Sequence, residues 1–354
     1  MKDNGVDPGS NIVAYFTREE YQTQVKALAA QGKRAAFVYS HKTSILNETN
    51  AVNSNAALQF LNNKANIGAL VEEHCIAKRR IISLADKNAL RDVSTPIVIK
   101  VPTDDPNAGG IDVHVCRNQR HLARAIKRFS NAPSIIAEQY VEATENWCIQ
   151  FSVKSEYDIE HLGESQQICM RNGAHGGNII RADQVAPAAA VNAAHHAVAE
   201  ASTRGFVGLC GVDVLIDGQQ QAYVIDLNFR PVSSVGFLHA YQKIKDTSPP
   251  IHRLAMCSFD GPFQELARLC EQGFKEEWLI PLATFDPIWG RIGAGPSRIR
   301  LSIMADDIGQ LSDRENALAK QGLSFLGYEE ATQRPSNLFS KLISPIFRSR
   351  SDVH

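Results

Sequence analysis

The sequence predicts an α+β or α/β fold that contains several strand-and-helix units. Three observations support this prediction. A strand–helix–strand pattern opens the chain between residues 11 and 39, a buried strand near residue 98 leads into a loop rich in Pro, Asp and Gly, and a hairpin pattern occupies residues 211–230. The length of 354 residues allows two or three domains.

The N-terminal unit is predicted to begin with a strand over residues 11–16. Thr17 then caps a helix, and Glu20 takes the reciprocal position of a capping box. We expect this helix to end near Ala30, before Gly32, and residues 34–39 to form the next strand. These elements predict a β-α-β unit.

Apolar periodicity and turn residues predict the remaining elements. Helices are expected over residues 53–61, 119–129, 187–203, 263–274 and 312–321. Strands are expected over residues 95–101, 111–116, 134–137, 282–286 and 298–304, and the last two are expected to pair.

The composition argues against several classes of protein. A net charge of −1 gives no electrostatic basis for binding nucleic acid or an anionic membrane. The seven cysteines include no C-x-x-C pair, which favours free thiols in a reducing compartment over a disulfide framework or a zinc site. The N-terminus has no apolar signal region, and no apolar run approaches membrane-spanning length. We therefore expect a cytoplasmic protein.

The hairpin pattern separates apolar from polar side chains. Asp217-Gly218 marks the turn. With an even loop and no bulge, Asp213, Asp226 and Asn228 share one face, because side chains alternate along a strand. The opposite, core-facing set is expected to be Val212, Val214, Ile216, Tyr223, Ile225, Leu227 and Phe229.

The shared polar face has two interpretations. Half-exposed sheets often carry solvated polar residues on their outer face. Alternatively, two carboxylates and an amide oxygen are ligands that suit a phosphate-bound Mg²⁺. Upstream features favour the second interpretation. Lys100 ends a strand where its ammonium group can neutralise phosphate, and Gly109 and Gly110 would let the backbone approach phosphate closely.

The ordered set of Lys64, Lys100 with its glycine loop, residues 138–145 and the acidic hairpin resembles the ATP-grasp superfamily. In that superfamily, ATP lies between two α+β subdomains, and the resemblance covers about residues 60–240. It implies an N-terminal pre-ATP-grasp domain over residues 1–75, a small subdomain over 76–141, a large subdomain with the metal site over 142–245, and a C-terminal α+β unit over 246–354.

The resemblance also implies roles for the nucleotide-binding residues. Lys64 and Lys100 would contact the phosphates, with Lys87 as a weaker competitor for the role of Lys64. Residues 138–145 would form the hinge between the subdomains. The hinge backbone near Gln139 and Val141 would clamp adenine, Glu138 would flank it, and Glu145 would accept hydrogen bonds from the ribose hydroxyls.

The metal and substrate roles follow from the same resemblance. Asp213, Asp226 and Asn228 would hold two Mg²⁺ ions, and Mn²⁺ could replace them. Arg230 would bind the transferred phosphate or the substrate carboxylate as a bidentate fork. This chain departs from relatives in two places, because Asp226 stands where glutamate is usual and Gly211 stands where some relatives carry a catalytic arginine. Arg171, in a Gly-rich segment, could replace that arginine.

The implied function is that of an ATP-dependent carboxylate–amine ligase. Such an enzyme forms an amide bond through an acylphosphate, here on an amino acid or a small peptide of specialised metabolism. Two other interpretations stay open. One is a regulatory ATP-binding protein on a partly decayed ATP-grasp fold, which the two departures favour, and the other is a carboxylate–thiol ligase or a phosphotransferase. The expected partners are small molecules, without nucleic acid or membrane, and the chain could form a homodimer.

Overall fold

The computed structural model describes residues 15, 17–38, 51–103, 112–169, 175–288 and 295–325. Its helices are α1 (Arg18–Ala30), α2 (Asn55–Asn62), α3 (Lys87–Arg91), α4 (Gln119–Arg128), α5 (Ala188–Thr203), α6 (Val235–Ile244), α7 (Phe263–Lys275) and α8 (Ile308–Lys320). Short 3₁₀ turns span Lys64–Ala69 and Glu73–Cys75.

The strands form two antiparallel sheets. The small sheet has the order β1-β4-β2-β3, and it is formed by β1 (Arg79–Ser83), β2 (Ile97–Lys100), β3 (Val113–Cys116) and β4 (Ser134–Gln139). The large sheet has the order β11-β12-β10-β7-β6-β5-β8-β9, with β13 beside β10. Its strands are β5 (Ala143–Ser155), β6 (Asp158–Cys169), β7 (His175–Arg181), β8 (Gly208–Asp217), β9 (Ala222–Asn228), β10 (Ile251–Phe259), β11 (Leu279–Phe285), β12 (Ser297–Ala305) and β13 (Leu323–Phe325). Segregated helices and antiparallel sheets give an α+β fold, as predicted.

The N-terminal region keeps its predicted helix. In α1, Thr17 and Glu20 make both hydrogen bonds of the capping box. The strand predicted over residues 34–39 is reduced, in the part of it that the structure describes, to one parallel bridge between Ala35 and Ala51. The strand predicted over residues 11–16 lies almost entirely outside the described residues.

The large sheet has an apolar face under its helices and a polar face opposite. On β5, Trp147, Ile149, Phe151 and Val153 enter one hydrophobic cluster with the alanine-rich helix α5. The alternate residues Cys148 and Gln150 are buried on the other face. Strand periodicity therefore separates the core from a polar surface that continues onto Asp213 of the neighbouring strand, because Cys148 pairs with Asp213.

A β-bulge in β9 corrects one sequence prediction. Asp213 pairs with Asp226, but Val214 pairs with Val224, so Ile225 is an extra residue on its strand. The bulge reverses the alternation on the loop side, where Ala222 and Val224 are buried and Tyr223 and Ile225 are only half-buried. The assumption of no bulge, and with it the placement of Tyr223 and Ile225 in the core, was wrong.

A second bulge, in β7, is held by Arg253, which also forms a buried ion pair with Glu315. Gly176 is the extra residue where β6 pairs with β7, and its carbonyl accepts a hydrogen bond from Arg253 Nη2 at 2.9 Å. Arg253 Nε lies 3.2 Å from Glu315 Oε1 on α8. Gly177 has φ +121°, and a Cβ there would collide with Arg253 and the Leu254 carbonyl. Only glycine fits this backbone.

The region beyond residue 246 shares the large sheet, because β10 pairs with β7 over residues 251–254. A separate cluster under α7 and α8 forms the core of this region. The predicted pairing of the last two strands is confirmed as β11 and β12, whereas the division into four domains stays a prediction. Among the described residues, no helix has the length and apolarity to cross a membrane.

His252 on β10 provides a test of this core by pH. Its ring has no solvent exposure, and it lies between the hydroxyls of Ser248 (2.8 Å) and Ser302 (3.4 Å). Burial lowers the pKa of His252 to about 4. Because the unfolded chain binds this proton below pH 6.5 and the folded chain does not, the free energy of unfolding falls as the pH drops from 6.5 towards 4.

We expect His252→Asn to remove this part of the pH dependence. Urea unfolding at pH 7.5 and pH 5 should show the wild type losing about 1–2 kcal/mol more than the variant, at about 1.4 kcal/mol for each pKa unit. Equal losses in the two proteins would contradict the assignment.

Candidate active site

The acidic hairpin brings its three predicted metal ligands together. Asp213 lies directly opposite Asp226, and Asn228 lies opposite Gly211, two residues along the same face. Asn228 Nδ2 is 3.5 Å from Asp213 Oδ2. Gln167 on β6, which the sequence did not predict, donates from Nε2 to Asp213 Oδ1 at 2.7 Å.

The electrostatics of this face fit a divalent cation. Burial of the Asp213 carboxylate, together with the charge of Asp226, raises the pKa of Asp213 to about 7. A cation that neutralised both carboxylates would favour the charged form of Asp213. The carboxylate and amide oxygens are also the hard donors that Mg²⁺ prefers. The residues present therefore fit Mg²⁺, and their role as ligands stays a prediction.

Lys64 reaches the Asp226 carboxylate from the 3₁₀ turn after α2. Its Nζ lies 3.1 Å from Asp226 Oδ1 and 3.1 Å from Asp112 Oδ2, and its side chain is 10% exposed. Burial disfavours the charge on Lys64, but the attraction of Asp226 and Asp112 outweighs it and raises the pKa of the ammonium. Lys64 therefore remains a cation where it meets the acidic hairpin.

Lys100 joins the small sheet to the bulge of the large sheet. Its Nζ lies 2.6 Å from Glu138 Oε1 and donates to the Ile225 carbonyl at 2.7 Å. Arg79 Nη1 is 3.6 Å from the other oxygen of Glu138. Glu138 is thus a buried counter-ion for two cations, and it helps to hold Lys100 next to β9.

The predicted hinge follows β4. The Gln139 N–H donates to the Lys78 carbonyl and the Val141 carbonyl accepts from Ala143, at 2.8 and 3.0 Å. The adenine contacts expected from this hinge stay a prediction. Glu145 accepts a hydrogen bond from the indole N–H of Trp147 at 2.7 Å, which fixes its carboxylate beside the hinge.

Arg230 lies two residues after β9. It is 8% exposed, and its Nη2 donates to Asn228 Oδ1 at 2.8 Å. The position taken by arginine in some relatives is closed here, because a Cβ on Gly211 would lie 2.8 Å from Val232 Cγ1. The predicted residues Gly109, Gly110 and Arg171 lie outside the described residues.

Three partners of the site were missed from the sequence. Asp112 closely follows the predicted glycine loop, and that proximity was an available signal. Arg79 lies on β1 and Gln167 on β6, two strands that were not predicted, so their faces could not be assigned.

Two family models match the chain. The ATP-grasp model of the L-aspartate–L-methionine ligase family matches residues 77–228, and the model of the N-terminal domain of that family matches residues 1–59. The chain belongs to the ATP-grasp superfamily of carboxylate–amine ligases. The predicted activity class, an ATP-dependent ligase that forms C–N bonds, is confirmed by this membership, which sets the regulatory interpretation aside.

Solved structures share the fold at low identity. An N5-carboxyaminoimidazole ribonucleotide synthetase in complex with ADP aligns with a TM-score of 0.60 and 16% identity, over 88% of each chain. The carboxyaminoimidazole ribonucleotide synthase of Aspergillus clavatus, in complex with ATP, aligns with 0.59 and 13%, over 90% of this chain and 88% of that one. The biotin carboxylase of Campylobacter jejuni aligns with 0.57 and 14%, over 87% and 80%. These similarities confirm the predicted ATP-grasp fold.

Asp226 is the residue on which the site can be tested most directly. We expect Asp226→Ala to lower the rate of ADP release by more than about a hundredfold. Mutating a residue that only orients a metal ligand typically lowers activity by about 10- to 100-fold, and Asp226 is predicted to be a ligand itself. The fold should be retained, since the carboxylate is partly exposed and Lys64 keeps Asp112 as its partner. A coupled ADP assay and circular dichroism measure the two effects.

The matched control is Asp183→Ala, which removes a surface carboxylate that is 72% exposed. It should leave both measurements unchanged. Normal ATP consumption by Asp226→Ala would remove Asp226 from the metal site.

Proposed function

We propose that this enzyme condenses two amino acids, L-aspartate and L-methionine, at the expense of ATP. The observation that carries the proposal is that Lys64 and Lys100 both reach β9, where Lys64 contacts Asp226 of the Asp213–Asp226 pair and Lys100 contacts the Ile225 carbonyl, in a chain matched by the models of the L-aspartate–L-methionine ligase family. Aspartate would supply the carboxylate and methionine the amine.

The nucleotide would lie between the small sheet and the polar face of the large sheet. The hinge at Gln139 and Val141 would hold adenine, and Glu145 would bind the ribose. Lys64 and Lys100 would reach the phosphates, because both ammonium groups already lie beside β9. The glycine loop with Gly109 and Gly110 would cover the phosphates from the small-sheet side.

Asp213, Asp226 and Asn228 would hold one or two Mg²⁺ ions, or Mn²⁺ in their place. When bound, such ions supply positive charge to the phosphate oxygens and orient them. The protein residues contribute position and charge. Lys64 and Lys100 would neutralise the charge that develops on the transferred phosphate, and no covalent intermediate with the protein is needed.

The reaction would proceed in two substitutions. A carboxylate oxygen of aspartate attacks the γ-phosphorus of ATP, and the bond to the bridging oxygen breaks, which releases ADP and leaves an acylphosphate. The methionine amine, after losing a proton, then attacks the acyl carbon and expels inorganic phosphate. Arg230, held against Asn228, would bind the carboxylate or the transferred phosphate as a bidentate donor. Arg171 could supply a second guanidinium group.

Mass spectrometry tests this function directly. The enzyme is incubated with ATP, Mg²⁺ and pairs of amino acids, and each mixture is searched for a product lighter by one water than its two parents. We expect the aspartate–methionine pair to give the largest yield. With aspartate labelled by ¹⁸O in its carboxylates, one labelled oxygen should appear in the released phosphate, because the acylphosphate keeps the oxygen that attacked.

The competing activities predict other outcomes. A carboxylate–thiol ligase would use a thiol such as coenzyme A in place of the amine, and a phosphotransferase would give no hydroxamate when hydroxylamine traps the reaction. Tight ATP binding without ADP release under any pair of amino acids would contradict the proposal.

A further inference from the structure

One carboxylate in the site has two competing uses. Asp226 Oδ1 lies 3.1 Å from the Lys64 ammonium, while Asp226 also faces Asp213 as a predicted metal ligand. Mg²⁺ binds carboxylate oxygens at about 2.0–2.1 Å. A divalent cation on Asp226 would therefore lie within a few ångströms of the ammonium, and like charges at that range repel strongly in a partly buried site.

Asp112 is a second carboxylate partner of Lys64. Its carboxylate lies 3.1 Å from Lys64 Nζ on the side of the small sheet, and it is only 6% exposed. A buried carboxylate without a partner is costly, so Asp112 retains Lys64 whether or not Asp226 does. The ammonium can leave Asp226 without being released into solvent.

We propose that Lys64 is the counter-ion of Asp226 until metal binds, and that Asp112 is the positioning residue that receives Lys64 when the metal displaces it. The nucleotide then stabilises the displaced position of Lys64, because its phosphates offer the ammonium a further partner of opposite charge. Metal and nucleotide consequently bind tightly only together. This inference rests on the proposed function, since it assumes that Asp226 is a metal ligand.

The arrangement explains why two buried acidic residues accompany one lysine. Lys100 has a different set of partners, because its ammonium contacts Glu138 and the Ile225 carbonyl and not Asp226. Of the two lysines, only Lys64 is thus placed to compete with metal for a ligand. This difference provides a matched control within the same site.

The test measures Mn²⁺ binding without nucleotide, by the electron paramagnetic resonance signal of free Mn²⁺. We expect weak binding to the wild type and binding at least tenfold tighter to Lys64→Met. Because that variant leaves Asp112 buried and unpaired, the double variant Lys64→Met with Asp112→Asn serves as a second probe with the same expected gain. Lys100→Met should change Mn²⁺ affinity less than threefold.

Asp112→Asn should act in the opposite direction. Lys64 would keep Asp226 as its only carboxylate, so Mn²⁺ binding without nucleotide should stay as weak as in the wild type or become weaker. Calorimetry should show the affinity for MnADP falling at least fivefold. A general loosening of the site would shift the Lys64 and Asp112 variants in the same direction.

The outcomes separate this inference from the proposed function. Tight Mn²⁺ binding by the wild type without nucleotide, an equal gain in Lys100→Met, or no gain in either Lys64 variant would overturn the exchange while leaving the ligase intact. Failure of the wild type to bind MnADP by calorimetry would overturn the proposed function itself.

Discussion

The bulge at Ile225 is the constraint on which the rest of the site depends. A bulge leaves its extra residue out of the ladder, and here the Ile225 carbonyl accepts the Lys100 ammonium at 2.7 Å. The same bulge changes the alternation of β9, so that Val224 packs in the core on one side of it and Asp226 faces Asp213 on the other. The bulge therefore lets Val224 pack in the core while Asp226 stays opposite Asp213. It also connects the two sheets, because its carbonyl is bonded to Lys100 of the small sheet.

The charges around this bulge are arranged as compensated pairs. Lys100 and Arg79 share Glu138, and Lys64 lies between Asp112 and Asp226. The pairs keep cations buried at the junction of the two sheets, where an unpaired charge would be costly. Catalysis of phosphoryl transfer depends on charges that are placed before the substrate arrives. The ion pairs thus hold both lysines in position before any ligand binds.

The sequence could predict those features that depend on local periodicity. The capping box of α1 and the lysine at the end of β2 follow from spacing, and the structure has both. The shared face of Asp213, Asp226 and Asn228 was predicted for a hairpin without a bulge, and the structure has this face together with the bulge at Ile225. Features that depend on contacts between distant segments could not be predicted. Gln167 hydrogen-bonds to Asp213 from a strand whose residues show no clear alternation of polar and apolar types. The bulge at Ile225 has no local sequence motif that predicts it.

Gly211 illustrates how packing decides which residues carry the positive charge. Its Cα faces Val232 so closely that a Cβ would lie 2.8 Å from one methyl carbon and 3.1 Å from the other, with Cys148 Sγ at 3.4 Å. An arginine there would require the segment after β9 to move, and that segment includes Arg230, whose guanidinium donates to Asn228. Packing therefore explains Gly211, and this glycine does not indicate a partly decayed active site. It allows the segment that contains Val232 to pack against β8, and the guanidinium beside Asn228 comes from Arg230, after β9, and not from β8.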